Sequence, residues 1–166
     1  MSDEKLDVAI MMGSKSDLET MKAAAEILKK LGLTVAVRVL SAHRTPEQAA
    51  AFVRESTAGG TKVFICGAGV AAHLAGAVAA HTTRPVIGVP IANGPLVGFD
   101  ALLATVQMPP GMPVATVAVN GAENAGLLAA QIIAVGDPAV GKRIEAEREA
   151  RRQKVLDADA EVRAKF

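Results

Sequence analysis

A chain of 166 residues suits one domain with room for a proper core. Its 18 Lys and Arg stand against 17 Asp and Glu, and a net charge of +1 leaves no electrostatic footprint for nucleic acid or an anionic membrane surface. With aromatics at 2% and neither Trp nor Tyr, an array of base-stacking platforms for single strands is excluded too.

Hydrophobic residues reach 51%, much of it alanine, and so much apolar surface with so few bulky rings points to burial between subunits. A homo-oligomer is the expectation. The one cysteine, Cys66, lies in an apolar run with Val63 and Ile65, so a disulfide framework is impossible and a reducing compartment is implied. The stretch "MSDEKLDVAI" is charged and has no apolar signal core, and no apolar run reaches membrane-spanning length. A soluble, cytoplasmic protein is expected.

In chain order, the first strand is predicted at Val8–Met12, followed by "GSKSD" and a helix from Ser16 to Leu31. Ser16 can cap that helix with Glu19 reaching back, and Gly32 can end it. A second strand, Val35–Leu40, runs into "SAHRTPEQ", where Thr45 as N-cap, Pro46 at N1 and Gln48 at N3 announce the next helix. A third strand at Lys62–Cys66 leads through "GAGVAAHLAG" into a helix over Val70–His81. Strands at Pro85–Val89 and Val114–Val119 flank a helix over Phe99–Val106, and another helix covers Ala122–Ala134. From Gly141 to Phe166 the chain turns sharply charged; Glu147–Arg151 and Glu161–Lys165 are favourable i,i+4 pairs on a solvated helix docked on a neighbour. No repeat, low-complexity segment or second domain is visible, so residues 1–166 are read as one domain.

Continuous apolar strands alternating with helices predict a doubly wound α/β fold around a parallel five-stranded sheet. Ligands of such folds sit beyond the carboxyl ends of the strands. That rule singles out the loops 13–17, 41–45 and 67–73, which hold the polar residues the core lacks.

In the first loop, backbone N–H groups and the hydroxyls of Ser14 and Ser16 would face an anion at a helix N-terminus, although Ser16 as a mere cap explains as much. The Walker A spacing is absent. In the second loop Arg44 offers a permanent fork of donors suited to phosphate, and His43 a side chain that titrates near neutrality. One turn thus supplies an anchor and a proton carrier; the plainer alternative has His43 capping a strand end. In the third loop Gly67-x-Gly69-x-x-Ala72 fits a dinucleotide fingerprint, but no acid for a ribose follows about twenty residues on. The glycines are better suited to a small ligand approaching the backbone, with His73 pointing at it or simply packed. His73 and His81 lie eight apart with no acid or cysteine nearby, so no metal site is expected. No G-x-S-x-G elbow marks a serine hydrolase.

Taken together, "MGSKSD", "SAHRTP", "GAGVAAHLAG" and "VQMPPGMPVATVAV" resemble the class I N5-carboxyaminoimidazole ribonucleotide mutases of purine synthesis, the PurE family, from about Val8 to Ile133. The resemblance implies a flavodoxin-like three-layer αβα sandwich, an octamer with sites where subunits meet, and no cofactor or metal. It implies that a carboxylate moves from the exocyclic nitrogen of an imidazole ribonucleotide to ring carbon C4. Carried onto this sequence, His43 would be the general acid–base. Ser14, Ser41 and Arg44 would hold the 5′-phosphate and Asp17 the ribose hydroxyls, while Gly69, Ala72, His73 and Leu74 would line the base and carboxylate pocket. Ser16, Ala42 and Ala68 complete the candidate substrate-binding set. The family pattern has a second glycine where this chain has Val70, and Leu-Pro-Gly where it has Leu74-Ala75-Gly76. Class II relatives, which carboxylate the free aminoimidazole nucleotide with CO2, show lysine in place of Arg44 and lack the histidine at 73. A direct carboxylase and a non-enzymatic nucleotide sensor are the competing readings.

Overall fold

In the computed structural model, which describes residues 5–166, five parallel strands form one sheet in the order β2-β1-β3-β4-β5. The first four residues of the charged N-terminal stretch lie outside that range. The strands are β1 (Val8–Met12), β2 (Val35–Val39), β3 (Val63–Gly69), β4 (Val86–Ile91) and β5 (Ala115–Thr116). The helices are α1 (Leu18–Lys30), α2 (Pro46–Ala58), α3 (Leu74–Ala79), α4 (Phe99–Val106), α5 (Ala122–Ala134) and α6 (Pro138–Arg163).

The period of two along each strand sorts its side chains between two cores. Val8, Ile10 and Met12 of β1, Val63 and Ile65 of β3, and Ile87, Val89 and Ile91 of β4 pack against α1, α5 and the start of α6. Ala9, Met11, Phe64, Cys66 and Val86 face α2 and α3 on the other side. Both faces of β1 and β4 are covered, which is why these strands read as unbroken apolar runs. The result is the expected α/β sandwich, and its strand order is the flavodoxin-like one. Cys66 is sealed in the second core, where burial pushes its thiol pKa far above the ordinary range.

Several boundaries differ from expectation. β3 continues through Gly67 to Gly69, so the glycines of the supposed fingerprint lie in a strand rather than in a strand-to-helix turn. They are there for close packing: a Cβ on Gly67 would come within 2.4 Å of Met21 Sδ. The dinucleotide reading of this segment falls with that observation. α3 is six residues long, not twelve, because residues 70–73 form an irregular turn before it. β4 reaches Ile91, two residues beyond its expected end, and β5 is an edge fragment of two residues where six were expected.

The charged tail is helical. Val140 and Ile144 are buried against α1 and α5, while Val155, Leu156 and Val162 are exposed. Glu147 is the buried hub of the contact: it receives Lys30 Nζ of α1 at 2.6 Å and Arg151 Nε at 2.9 Å, and Arg151 also pairs with Glu123 of α5. Of the two i,i+4 pairs expected, Glu147–Arg151 forms; among the described residues Glu161–Lys165 does not, and Arg163 instead lies 3.9 Å from Asp159.

The hydrogen bond from Lys30, assisted by Arg151 and opposed by desolvation, holds the Glu147 carboxyl below its usual pKa. A depressed carboxyl stabilises the fold at pH values above the ordinary carboxylate range, and that contribution fades as pH falls through the lowered value. Glu147→Gln is therefore expected to lower the urea midpoint at neutral pH and to flatten the loss of stability on the acid side. An unchanged acid slope in a pH series of urea melts would contradict this.

Candidate active site

A cleft of about 380 Å³ opens beyond the carboxyl ends of β1 and β3, where the strand order reverses direction. Its first wall is the turn after β1. Ser14 has extended backbone and caps a short 3-10 turn, Lys15–Asp17, that leads directly into α1. Ser14 Oγ accepts from the backbone N–H of Ser16 at 3.3 Å, and Asp17 Oδ2 accepts from the Ser14 N–H at 3.2 Å. The capping box thus pairs Ser14 with Asp17, not Ser16 with Glu19 as expected, because a 3-10 turn precedes the α-helix. Asp17 is 3% exposed, and its other oxygen accepts from Ser16 Oγ at 3.3 Å and Asn93 Nδ2 at 3.1 Å.

The second wall is the turn from Ser41 to Thr45. Ser41 Oγ accepts from the backbone N–H groups of His43 and Arg44, at 3.3 and 3.2 Å. Thr45 is the residue before α2, but its hydroxyl does not cap that helix. It turns back, accepting from the Ser41 N–H at 2.8 Å and donating to the Ser41 carbonyl at 3.2 Å. Arg44 Nη2 reaches across to donate to the Gly13 carbonyl at 2.6 Å, which ties the two walls together. Ser14, Ser41 and Arg44 share a side lobe of about 200 Å³ with Lys15.

The third wall is the end of β3 and the turn before α3. Val70 carries a φ of +54°, a left-handed conformation costly for a β-branched side chain, and it is half exposed in the cleft. Glycine adopts that conformation freely, so the backbone here suits a glycine better than the valine it carries. Three residues on, His73 Nδ1 lies 2.7 Å from His43 Nε2, with the rings edge to face at 85°. One of these two nitrogens must donate and the other accept, so the pair holds a single proton between its facing atoms.

Eleven of the twelve residues singled out from sequence line this one cleft: Ser14, Ser16, Asp17, Ser41, Ala42, His43, Arg44, Ala68, Gly69, His73 and Leu74. Ala72 does not; it is 1% exposed, behind the turn. Four lining residues went unselected: Gly13, Val70, Ala71 and Asn93. The first three belong to the quoted motifs. Asn93 follows β4, whose carboxyl-end loop was not among the three that the sequence singled out. Among the described residues no group of three or more His, Cys, Asp or Glu is arranged to hold a metal ion, and no helix is long and apolar enough to cross a membrane.

A family model described as AIR carboxylase matches residues 7–154. Curated relatives named N5-carboxyaminoimidazole ribonucleotide mutase include that of Thermotoga maritima, 47% identical over 90% of this chain and 88% of its own. Another is that of Methanocaldococcus jannaschii, 48% identical over 96% of this chain and 99% of its own. Among solved structures, Treponema denticola PurE superposes with a TM-score of 0.84 at 31% identity, covering 93% of this chain and 96% of that one. The family model and these relatives span nearly the whole chain, its strand-end turns included, and the chain belongs to the AIR carboxylase family.

Proposed function

We propose that the chain is an N5-carboxyaminoimidazole ribonucleotide mutase, an isomerase of purine biosynthesis working as a single domain with α6 as its charged tail. The observation that carries the reading is the contact of His43 with His73 at 2.7 Å, in the same cleft as the cation of Arg44. Arg44, Ser14 and Ser41 supply the donors that a 5′-phosphate requires, and Asp17 supplies acceptors for ribose hydroxyls. This anchoring leaves the imidazole ring toward the histidines and Leu74.

His43 delivers a proton to the exocyclic nitrogen as the carbamate C–N bond breaks and CO2 departs. The small residues Ala42, Ala68 and Gly69 leave room for the gas beside C4 and bring no side-chain donor or acceptor to hold water in its place. The C4 carbon attacks CO2, and His43, now neutral, removes the C4 proton to restore aromaticity. The proton given in the first half returns in the second, so nothing but the point of attachment changes. General acid–base transfer of this kind is worth about 10²–10⁴ in rate. His73 holds the His43 ring in place through the 2.7 Å contact and offers the proton a second resting place. Binding energy from the remote phosphate holds the ring in register through both halves.

We further read the protein as a cytoplasmic homo-oligomer, an octamer by the family's pattern. Exposed Leu96, Val97, Phe99, Leu103 and Val106 on and before α4 supply an apolar face that fits such assembly. The decisive assay offers purified protein the N5-carboxylated nucleotide and, separately, the free aminoimidazole ribonucleotide with bicarbonate. C4-carboxylated product from the first alone is expected. Product from the second at comparable rate would make the enzyme a direct carboxylase, and product from neither would remove the reading.

A further inference from the structure

The side chain of Asn93 has no role in the scheme above. It stands two residues beyond β4, at the edge of the cleft, and its position is fixed from two sides. On one side it lies against Gly69, where a Cβ would come within 2.9 Å of Asn93 Cβ and 3.0 Å of its Nδ2. On the other, its Nδ2 donates to Asp17 Oδ1 at 3.1 Å. A carboxylate only accepts, so the amide nitrogen must face Asp17 and the amide oxygen is directed away from it. The one sealed polar side-chain atom without a partner among the described residues is Thr61 Oγ1; Asn93 Oδ1 is therefore not sealed, and it belongs to a residue lining the cleft.

We propose that Asn93 Oδ1 accepts a hydrogen bond from the bound nucleotide, from a ribose hydroxyl or from the exocyclic N–H of the base, and that Asn93 is a specificity-determining residue. This rests on the nucleotide reading above. The Asp17 carboxylate and the Asn93 amide oxygen are acceptors side by side, so a ligand bearing O–H or N–H donors fits that end of the cleft. An acceptor that the bound ligand covers discriminates against an analogue lacking the donor, because the protein group is then left unpaired.

The test compares dissociation constants of wild type and Asn93→Leu, a variant of similar size without the acceptor. The probes are aminoimidazole ribonucleotide, its 2′-deoxy and 3′-deoxy analogues, and the imidazole ribonucleotide lacking the exocyclic amine. About three- to tenfold weaker binding of the parent is expected, with the penalty gone for whichever analogue lacks the contacted donor. That analogue identifies the source of the bond. An equal penalty on all four ligands would overturn the proposal by reducing Asn93 to a support for Asp17, and no penalty on the parent would overturn it outright. Should Asn93→Leu not fold, Asn93→Ala reads the same differences. A wild-type protein that binds none of the four refutes the nucleotide reading itself, whereas binding indifferent to residue 93 refutes this inference alone.

Discussion

His43→Asn is expected to lower kcat by about 10²–10⁴ while leaving nucleotide affinity within about tenfold of wild type. The anchoring donors proposed above lie on Arg44, Ser14 and Ser41, and the Ser41 hydroxyl holds the turn through backbone N–H groups that the substitution leaves in place. Asparagine keeps a polar side chain near His73 but cannot take up and release a proton near neutrality. Binding measured by calorimetry and turnover measured on the N5-carboxylated nucleotide separate the two effects. Lost binding with normal turnover per bound ligand would contradict the assignment and make His43 an anchor.

Arg44→Ala should do the reverse, weakening capture of the nucleotide by about 10- to 100-fold. Two contributions combine. The phosphate loses its permanent cation, and the Gly13 carbonyl loses the 2.6 Å bond that joins the turn after β1 to the turn after β2. Lysine at this position restores charge without the planar fork, so Arg44→Lys should recover only part of the affinity. The loss should shrink for a nucleoside without phosphate. An unchanged dissociation constant for Arg44→Ala would remove the residue from the phosphate site.

The sheet and most of the cleft were legible because buried parallel strands announce themselves as apolar runs and because polar residues cluster where those runs stop. Ser41, His43 and Arg44 stood out for that reason. What escaped detection depends on contacts between distant parts of the chain. Gly67 resembles a turn glycine until Met21 is seen packed where its side chain would be. Thr45 has the sequence of a helix cap, yet its hydroxyl serves Ser41. The short α3 reflects the left-handed backbone at Val70, which nothing local to a valine foretells. Asn93 sits in the loop after β4, which no motif marks, and its bonding partner, Asp17, is 76 positions away.

The turn at Ser14–Asp17 is cross-braced by hydrogen bonds among Ser14, Ser16, Asp17 and Asn93. A loop braced in this way surrenders little chain freedom when the proposed nucleotide docks, so more of each new contact survives as affinity. Such a rigid rim also has small tolerance for a misshapen caller: selection is exercised at the door, by fit, before any proton moves.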